Sequence, residues 1–137
     1  MPIIIDGWNL LRDAKSDIDD SETGSLESAE ALVSYLERFQ AAHSDPIVLV
    51  FDSASEFLDI RRAGSAKLRI VPAKNADDYI KRYIDRTPER QRRNLRVVSS
   101  DNGIFYYAKS AYATPVKAGE FWIKLRGEGH VSRRSRQ

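Results

Sequence analysis

Three aspartates each close a short apolar, β-branched run: residues 3–5 lead into Asp6, 47–51 into Asp52 and 95–100 into Asp101. In open parallel sheets ligands bind beyond the carboxyl ends of the strands, so acids at three such ends are expected to converge above the sheet. The adjacent Asp77 and Asp78 open a helical segment leading toward the strand of Asp101 and offer a fourth carboxylate. Converging carboxylates repel one another, and the strain is relieved by raised pKa values or by a divalent cation. An all-oxygen donor set, with no cysteine and no histidine at ligand spacing, favours Mg²⁺ or Mn²⁺ over zinc. Such an ion lowers the pKa of an attacking water and stabilises the leaving oxygen of a phosphodiester. One aspartate after a strand is ordinarily a turn residue or a helix N-cap; the set of them argues for chemistry.

The elements that must position these acids are legible in outline. Runs at 3–5, 47–51, 68–71, 95–99 and, more weakly, 114–116 are near-continuously apolar, as expected of parallel strands covered on both faces. Leu26, Ala29, Leu32, Val33, Leu36 and Phe39 keep helical spacing, with Ser25 as a candidate N-cap. Residues 76–86 place Tyr79, Ile80, Tyr83 and Ile84 on one stripe; 102–112 and 119–125 read as further helices. This order predicts an α/β, three-layer sandwich with a mostly parallel central sheet. The polar stretch 13–24 reads as a mobile loop, and 127–137 as a basic flexible tail after a single domain over 1–126.

The chain has 137 residues, 42% apolar and 31% charged, which suits one soluble domain and excludes low complexity and wholesale disorder. Without cysteine there is no disulfide framework, thiolate metal site or cysteine nucleophile. No apolar run is long enough for a membrane helix, and the start of the chain lacks a basic n-region, so a cytoplasmic protein with no membrane partner is expected. The net charge of +2 conceals a segregation: residues 1–60 carry 13 acids and 3 basic residues, while 61–137 carry 7 acids and 19 basic residues. A basic half points to a polyanionic partner. Its cations fall into three groups: Arg61, Arg62, Lys67, Arg69 and Lys74; then Arg82, Arg86, Arg90, Arg92, Arg93 and Arg96; then Arg133, Arg134 and Arg136. The dominance of arginine suits bidentate phosphate contact, and Arg90, Arg92 and Arg93 read as the substrate-binding cluster. Few aromatics interleave with these cations in sequence, so no stacking platform for single strands is expected. Ser100 and Asn102 flank Asp101, where a hydroxyl and free helix N–H groups are able to meet phosphate. Trp8 reads as a core residue rather than a base-stacking one, and His43 and His130 stand outside the chemistry.

Taken together, I-I-D-G-W-N-L-L, V-L-V-F-D, A-D-D-Y-I and V-V-S-S-D followed by a helix and E-F resemble the YacP-like NYN domain of the PIN-like nuclease superfamily, in the correct order over residues 2–125. The resemblance implies a Mg²⁺- or Mn²⁺-dependent ribonuclease acting endonucleolytically, with RNA, including ribosome-associated RNA, as the expected partner. By register it makes Asp6, Asp52, Asp77 and Asp101 the acidic, metal-holding set and Asn9 the residue that orients the first acid's loop or a substrate phosphate. Where the family commonly reads T-A-D-x-x-I-E, this chain has Asn75 for Thr and Lys81 for Glu. Lys81 stands one turn after Asp77, placed to pair with it or to contact substrate phosphate. It also favours an alternative, a non-catalytic RNA- or ribosome-binding module, which retention of the strand-end acids opposes. A phospho-acceptor receiver domain is a third reading. Gly7 stands where that fold wants a second acid, and Ala118 follows Lys117 where it wants proline.

Overall fold

The computed structural model describes residues 1–18, 26–52 and 67–134, with side chains as far as 127 apart from that of residue 26. Strands β1 (Ile3–Asp6), β2 (Ile47–Asp52), β3 (Leu68–Ala73), β4 (Arg96–Val98) and β5 (Thr114–Val116) form one sheet, ordered β3-β2-β1-β4-β5. Every pairing is parallel, with Ile5 opposite Leu49 on one side and Val98 on the other. Three consecutive isoleucines can be buried only where helices cover both faces. Ile3 and Ile5 point to one face, where α1 (Gly7–Arg12), α2 (Leu26–His43) and α5 (Ala118–Arg134) supply Leu10, Leu32, Leu36, Phe121 and Trp122. Ile4 points to the other, against Ile80 and Ile84 of α3 (Ala76–Arg86) and Ile104 and Ala108 of α4 (Asn102–Ser110). The three-layer α/β sandwich follows from this alternation.

Polar tethers fix the helices. The buried Trp122 indole donates to the Leu10 carbonyl at 2.6 Å, joining α5 to α1. The Asn75 side chain caps α3 by accepting from the Asp78 amide at 3.0 Å. No helix among the described residues is long and apolar enough to cross a membrane.

Several boundaries differ from those read in the sequence. The short α1 directly after Asp6 is not foreshadowed by any periodicity, since six residues carry less than two turns. A 3-10 helix at Glu89–Asn94 occupies what reads as an open loop; none of its residues is buried, so it leaves no apolar signature. The chain is helical from Ala118 through Arg134, so residues 126 and 127 lie within α5. At the start of the polar stretch, Ile18 packs on the core and the Arg126 guanidinium holds Asp17 at 3.2 Å, so residues 13–18 are anchored. Ser25, Arg61 and Arg62, and the side chains of His130, Arg133, Arg134 and Arg136, lie outside the described residues.

Gly7 is where the turn from β1 into α1 comes closest to β2. A Cβ there would lie 2.5 Å from a Phe51 ring carbon and 3.0 Å from the Val50 carbonyl oxygen. Helix propensity alone would make Gly7→Ala stabilising by about 1 kcal/mol. The contact with a buried ring reverses that sign, and the variant is expected to lose about 1–3 kcal/mol in urea denaturation, as overpacked cores do.

Candidate active site at the carboxyl ends of the strands

The strand order reverses at β1: the chain passes from β1 outward to β2 and β3, then returns to place β4 on β1's other side. Crevices at such switch points are the binding sites of open parallel sheets. Asp6 ends β1 and Asp101 follows β4, so the two flank this crevice. Strand parity aims the remaining strand-end acid the same way. Asp6 continues the parity of Ile4, and Asp52 that of Val48 and Val50, all facing α3 and α4. Asp77 enters from the first turn of α3. Asp6, Asp52, Asp77 and Asp101 thus line one open cleft of about 390 Å³, together with Trp8, Asn9, Arg12 and Asn75.

The carboxylates share an electrostatic field. Burial first, then the charges of Asp77 and Asp101, push the Asp6 carboxyl up to about 6, against the Asn9 amide and the Ser99 hydroxyl, which favour its charged form. Asp77 is likewise raised, by burial and by Asp101 and Asp52, with Lys81 acting against the shift. The register shows why the acids share a cleft without meeting at a point. Asp6 pairs with Val50, so Asp52 stands two residues, about 6–7 Å, further along its strand. Among the described residues no three acids or histidines are drawn together tightly enough to hold an ion as they stand. The expectation that Asp6, Asp52 and Asp101 all lie within reach of one metal is corrected accordingly: they line one cleft, staggered.

Other predicted residues separate by role. Asp78 turns away from the cleft and pairs with Arg82 at 3.2 Å, leaving Asp77 as the member of the pair that faces the acids. Asn9 accepts from the Ser100 amide at 2.7 Å, and Ser100 Oγ accepts from the Ala118 amide at 2.9 Å, so both tie α1 and α5 to the turn after β4. Asp101 caps α4, accepting from the Ile104 amide at 3.1 Å, and so satisfies the structural and the site reading at once. Asn102 is exposed in the first turn of α4 and does not line the cleft. Lys81 lies over the Tyr107 ring at 5.5 Å and acts on Asp77 without forming an ion pair. Trp8 is buried, packs its ring at a 54° tilt against Phe51 and donates to the Asp52 carbonyl at 3.0 Å, so it walls the cleft as a core residue.

The arginine cluster requires correction. In a parallel sheet every strand starts at one end and finishes at the other, and residues 89–94 lead into the start of β4. Arg90, Arg92 and Arg93 therefore stand at the amino ends of the strands, away from the acids at the carboxyl ends. Arg92 is committed to the Thr87 and Asp85 carbonyls. Arg12, missed in the sequence, is the cation that lines the cleft among the described residues, its guanidinium 6.0 Å from the Trp8 ring centre. Its signal was its position three residues after Asn9, on the same helical face.

A family model described as the YacP-like NYN domain matches residues 3–136. Among solved structures, Rae1 (YacP) from Bacillus subtilis is similar, with a TM-score of 0.74 at 16% identity, covering 99% of this chain and 80% of that one. A tryptophan-to-leucine variant of the same protein gives 0.74 and 16%, over 98% and 79%. No curated protein matches this chain.

The raised Asp6 carboxyl makes a signed prediction for the metal-free protein. Its folded value of about 6 exceeds the ordinary 3.8, so the fold favours the protonated form. That contribution is complete below pH 3.8 and is lost as pH rises through about 6. In EDTA, Asp6→Asn should therefore gain stability relative to wild type between pH 4 and 7, by at most about 3 kcal/mol. Urea midpoints across that range measure it; a constant difference would contradict it.

Proposed function

Because the chain belongs to the YacP-like NYN domain family, we propose that it is a Mg²⁺- or Mn²⁺-dependent ribonuclease that hydrolyses RNA phosphodiester bonds endonucleolytically in the cytoplasm. The observation that carries this reading is the placement of Asp6, Asp52, Asp77 and Asp101 around one cleft at the switch point of the sheet. Among the described residues, four carboxylates against the one cation of Arg12 make a cleft that would repel a phosphate unless a cation intervened.

The donors fit a hard divalent ion. All are oxygens, and Mg²⁺ typically binds through one or two carboxylates and keeps several waters, so staggered acids suffice. Asp6, Asp52, Asp77 and Asp101 would hold it. When bound, such an ion supplies a water of lowered pKa and stabilises charge on the leaving oxygen. The chain's own groups do the positioning. Arg12 meets a phosphate entering past Trp8. Asn9 has its side-chain oxygen engaged by the Ser100 amide, which turns its NH₂ group into the available donor. The N-termini of α3 and α4 add partial positive charge at Asp77 and Asp101.

Lys81 supports a second reading, a non-catalytic RNA- or ribosome-binding module, because it places a cation beside Asp77 where the family motif has an acid. Labelled RNA incubated with the protein in Mn²⁺, in Mg²⁺ and in EDTA separates the two. Cleavage is expected with metal and none with EDTA; RNA binding without cleavage in either metal would select the module. Asp101→Asn sharpens the test, since asparagine caps a helix about as well as aspartate. This variant should melt close to wild type in EDTA yet lose cleavage by orders of magnitude. Unchanged cleavage would place the site elsewhere.

A further inference from the structure

A second groove, of about 220 Å³, runs beside the acidic cleft and shares Asn75 with it. Its floor is the outer stripe of α3, where Tyr79, Arg82, Tyr83 and Arg86 recur at helical spacing, and Lys74 enters from the end of β3. Its charge is opposite to the cleft's. Lys74, Arg82 and Arg86 are exposed, and the only acid among the described residues of the lining, Asp78, is already paired with Arg82. Among the described residues Lys74 and Arg86 form no ion pair. Neither the Tyr79 nor the Tyr83 hydroxyl has a hydrogen-bond partner there, while their rings are half-buried against the core. The linear sequence shows no alternation of aromatics and cations; the helix period creates one, with arginines one turn apart and tyrosine rings between them.

We infer that this groove binds the single-stranded RNA flanking the phosphate in the acidic cleft, with nucleobases against Tyr79 and Tyr83 and backbone phosphates on Lys74, Arg82 and Arg86. The inference rests on the reading of the cleft as an RNA-cleaving site. Aromatic faces combined with a cationic track are what sequence-tolerant single-strand binding requires. A strand leaving the cleft over Asn75 passes from a region that needs a cation into one that supplies three. The Asp78–Arg82 pair holds Arg82 along the groove, and an exposed pair of this kind is weak enough to yield to a phosphate.

The test is fluorescence anisotropy of an unstructured RNA of about twelve nucleotides, in EDTA so that nothing is cleaved, over a range of salt. Lys74→Gln with Arg86→Gln is compared with wild type and with Lys109→Gln plus Lys124→Gln, which removes two exposed charges elsewhere. The groove variant should bind about tenfold more weakly and flatten the log–log salt slope by about 1.4, two phosphate contacts at about 0.7 each. RNA carrying 4-thiouridine should crosslink to the segment holding Tyr79 and Tyr83. A groove variant that behaves like the control pair, or crosslinks that all avoid α3, would overturn the inference and leave the groove to a protein ligand. With Mn²⁺, the groove variant should raise KM for the long RNA and leave cleavage of a dinucleotide at the wild-type rate. If wild-type protein cleaves neither substrate, the nuclease reading fails, while anisotropy and crosslinking still decide the groove.

Discussion

Ile3, Ile4 and Ile5 are wholly withdrawn from water between β2 and β4, with helices on both faces. The carboxylate at the end of this run consequently has one place to go. β1 cannot shift in register without turning an isoleucine toward the wrong layer, because side chains alternate strictly along a strand. Asp6 is therefore fixed at the crevice where the strand order reverses, largely withdrawn from water and within the fields of Asp77 and Asp101. The fold accepts an unfavourable ionisation there, and the surrounding packing sustains it. Such cost at one point of an otherwise consistent structure is characteristic of functional sites.

The support for that point is a chain of backbone-directed hydrogen bonds. Trp8 reaches the Asp52 carbonyl, Asn9 receives the Ser100 amide, Ser99 Oγ receives the Asp101 amide, and Ser100 Oγ receives that of Ala118. Together they bind α1 to the ends of β2 and β4 and to the start of α5. The turns that carry Asp6, Asp52 and Asp101 are thus tied through their backbone from several sides, and the carboxylates keep their side-chain torsions. Asn9 and Ser100 matter in this arrangement as positioning residues, whichever groups later touch substrate. α3 then divides the surface: Asp77 faces the acids, Asp78 turns outward, and the basic stripe continues on the outer side.

Much of this was legible because the signals were local. Three of the five apolar runs ended in an acid, and parallel strands follow from continuous rather than alternating hydrophobicity, so five strands and a shared edge for Asp6, Asp52 and Asp101 could be read directly. The capped, strongly patterned α3 is found at 76–86 in both sequence and structure. The features that escaped depended on relations across the sheet. Arg90, Arg92 and Arg93 read as a phosphate-binding cluster by composition, yet preceding a parallel strand puts them at the far end from the acids. The stagger of Asp52 against Asp6 comes from the β1–β2 register, which no single strand encodes. Arg12 was hidden because α1 is too short for periodicity to declare it, and the Tyr79–Arg86 stripe emerges only once the helix is wound.

The nuclease reading requires Asp6, Asp52, Asp77 and Asp101 to act as one cation-binding unit, although as they stand they do not close on a single point. Paramagnetic broadening of amide NMR signals by substoichiometric Mn²⁺ addresses this directly, because it reports proximity to the ion residue by residue and needs no catalysis. Signals of residues 6–9, 52, 77 and 101–102 are expected to broaden first and together, and Asp6→Asn to weaken the effect at all of them. Broadening centred instead on the acid-rich stretch 17–22, or loss confined to one of the four aspartates, would contradict a shared site.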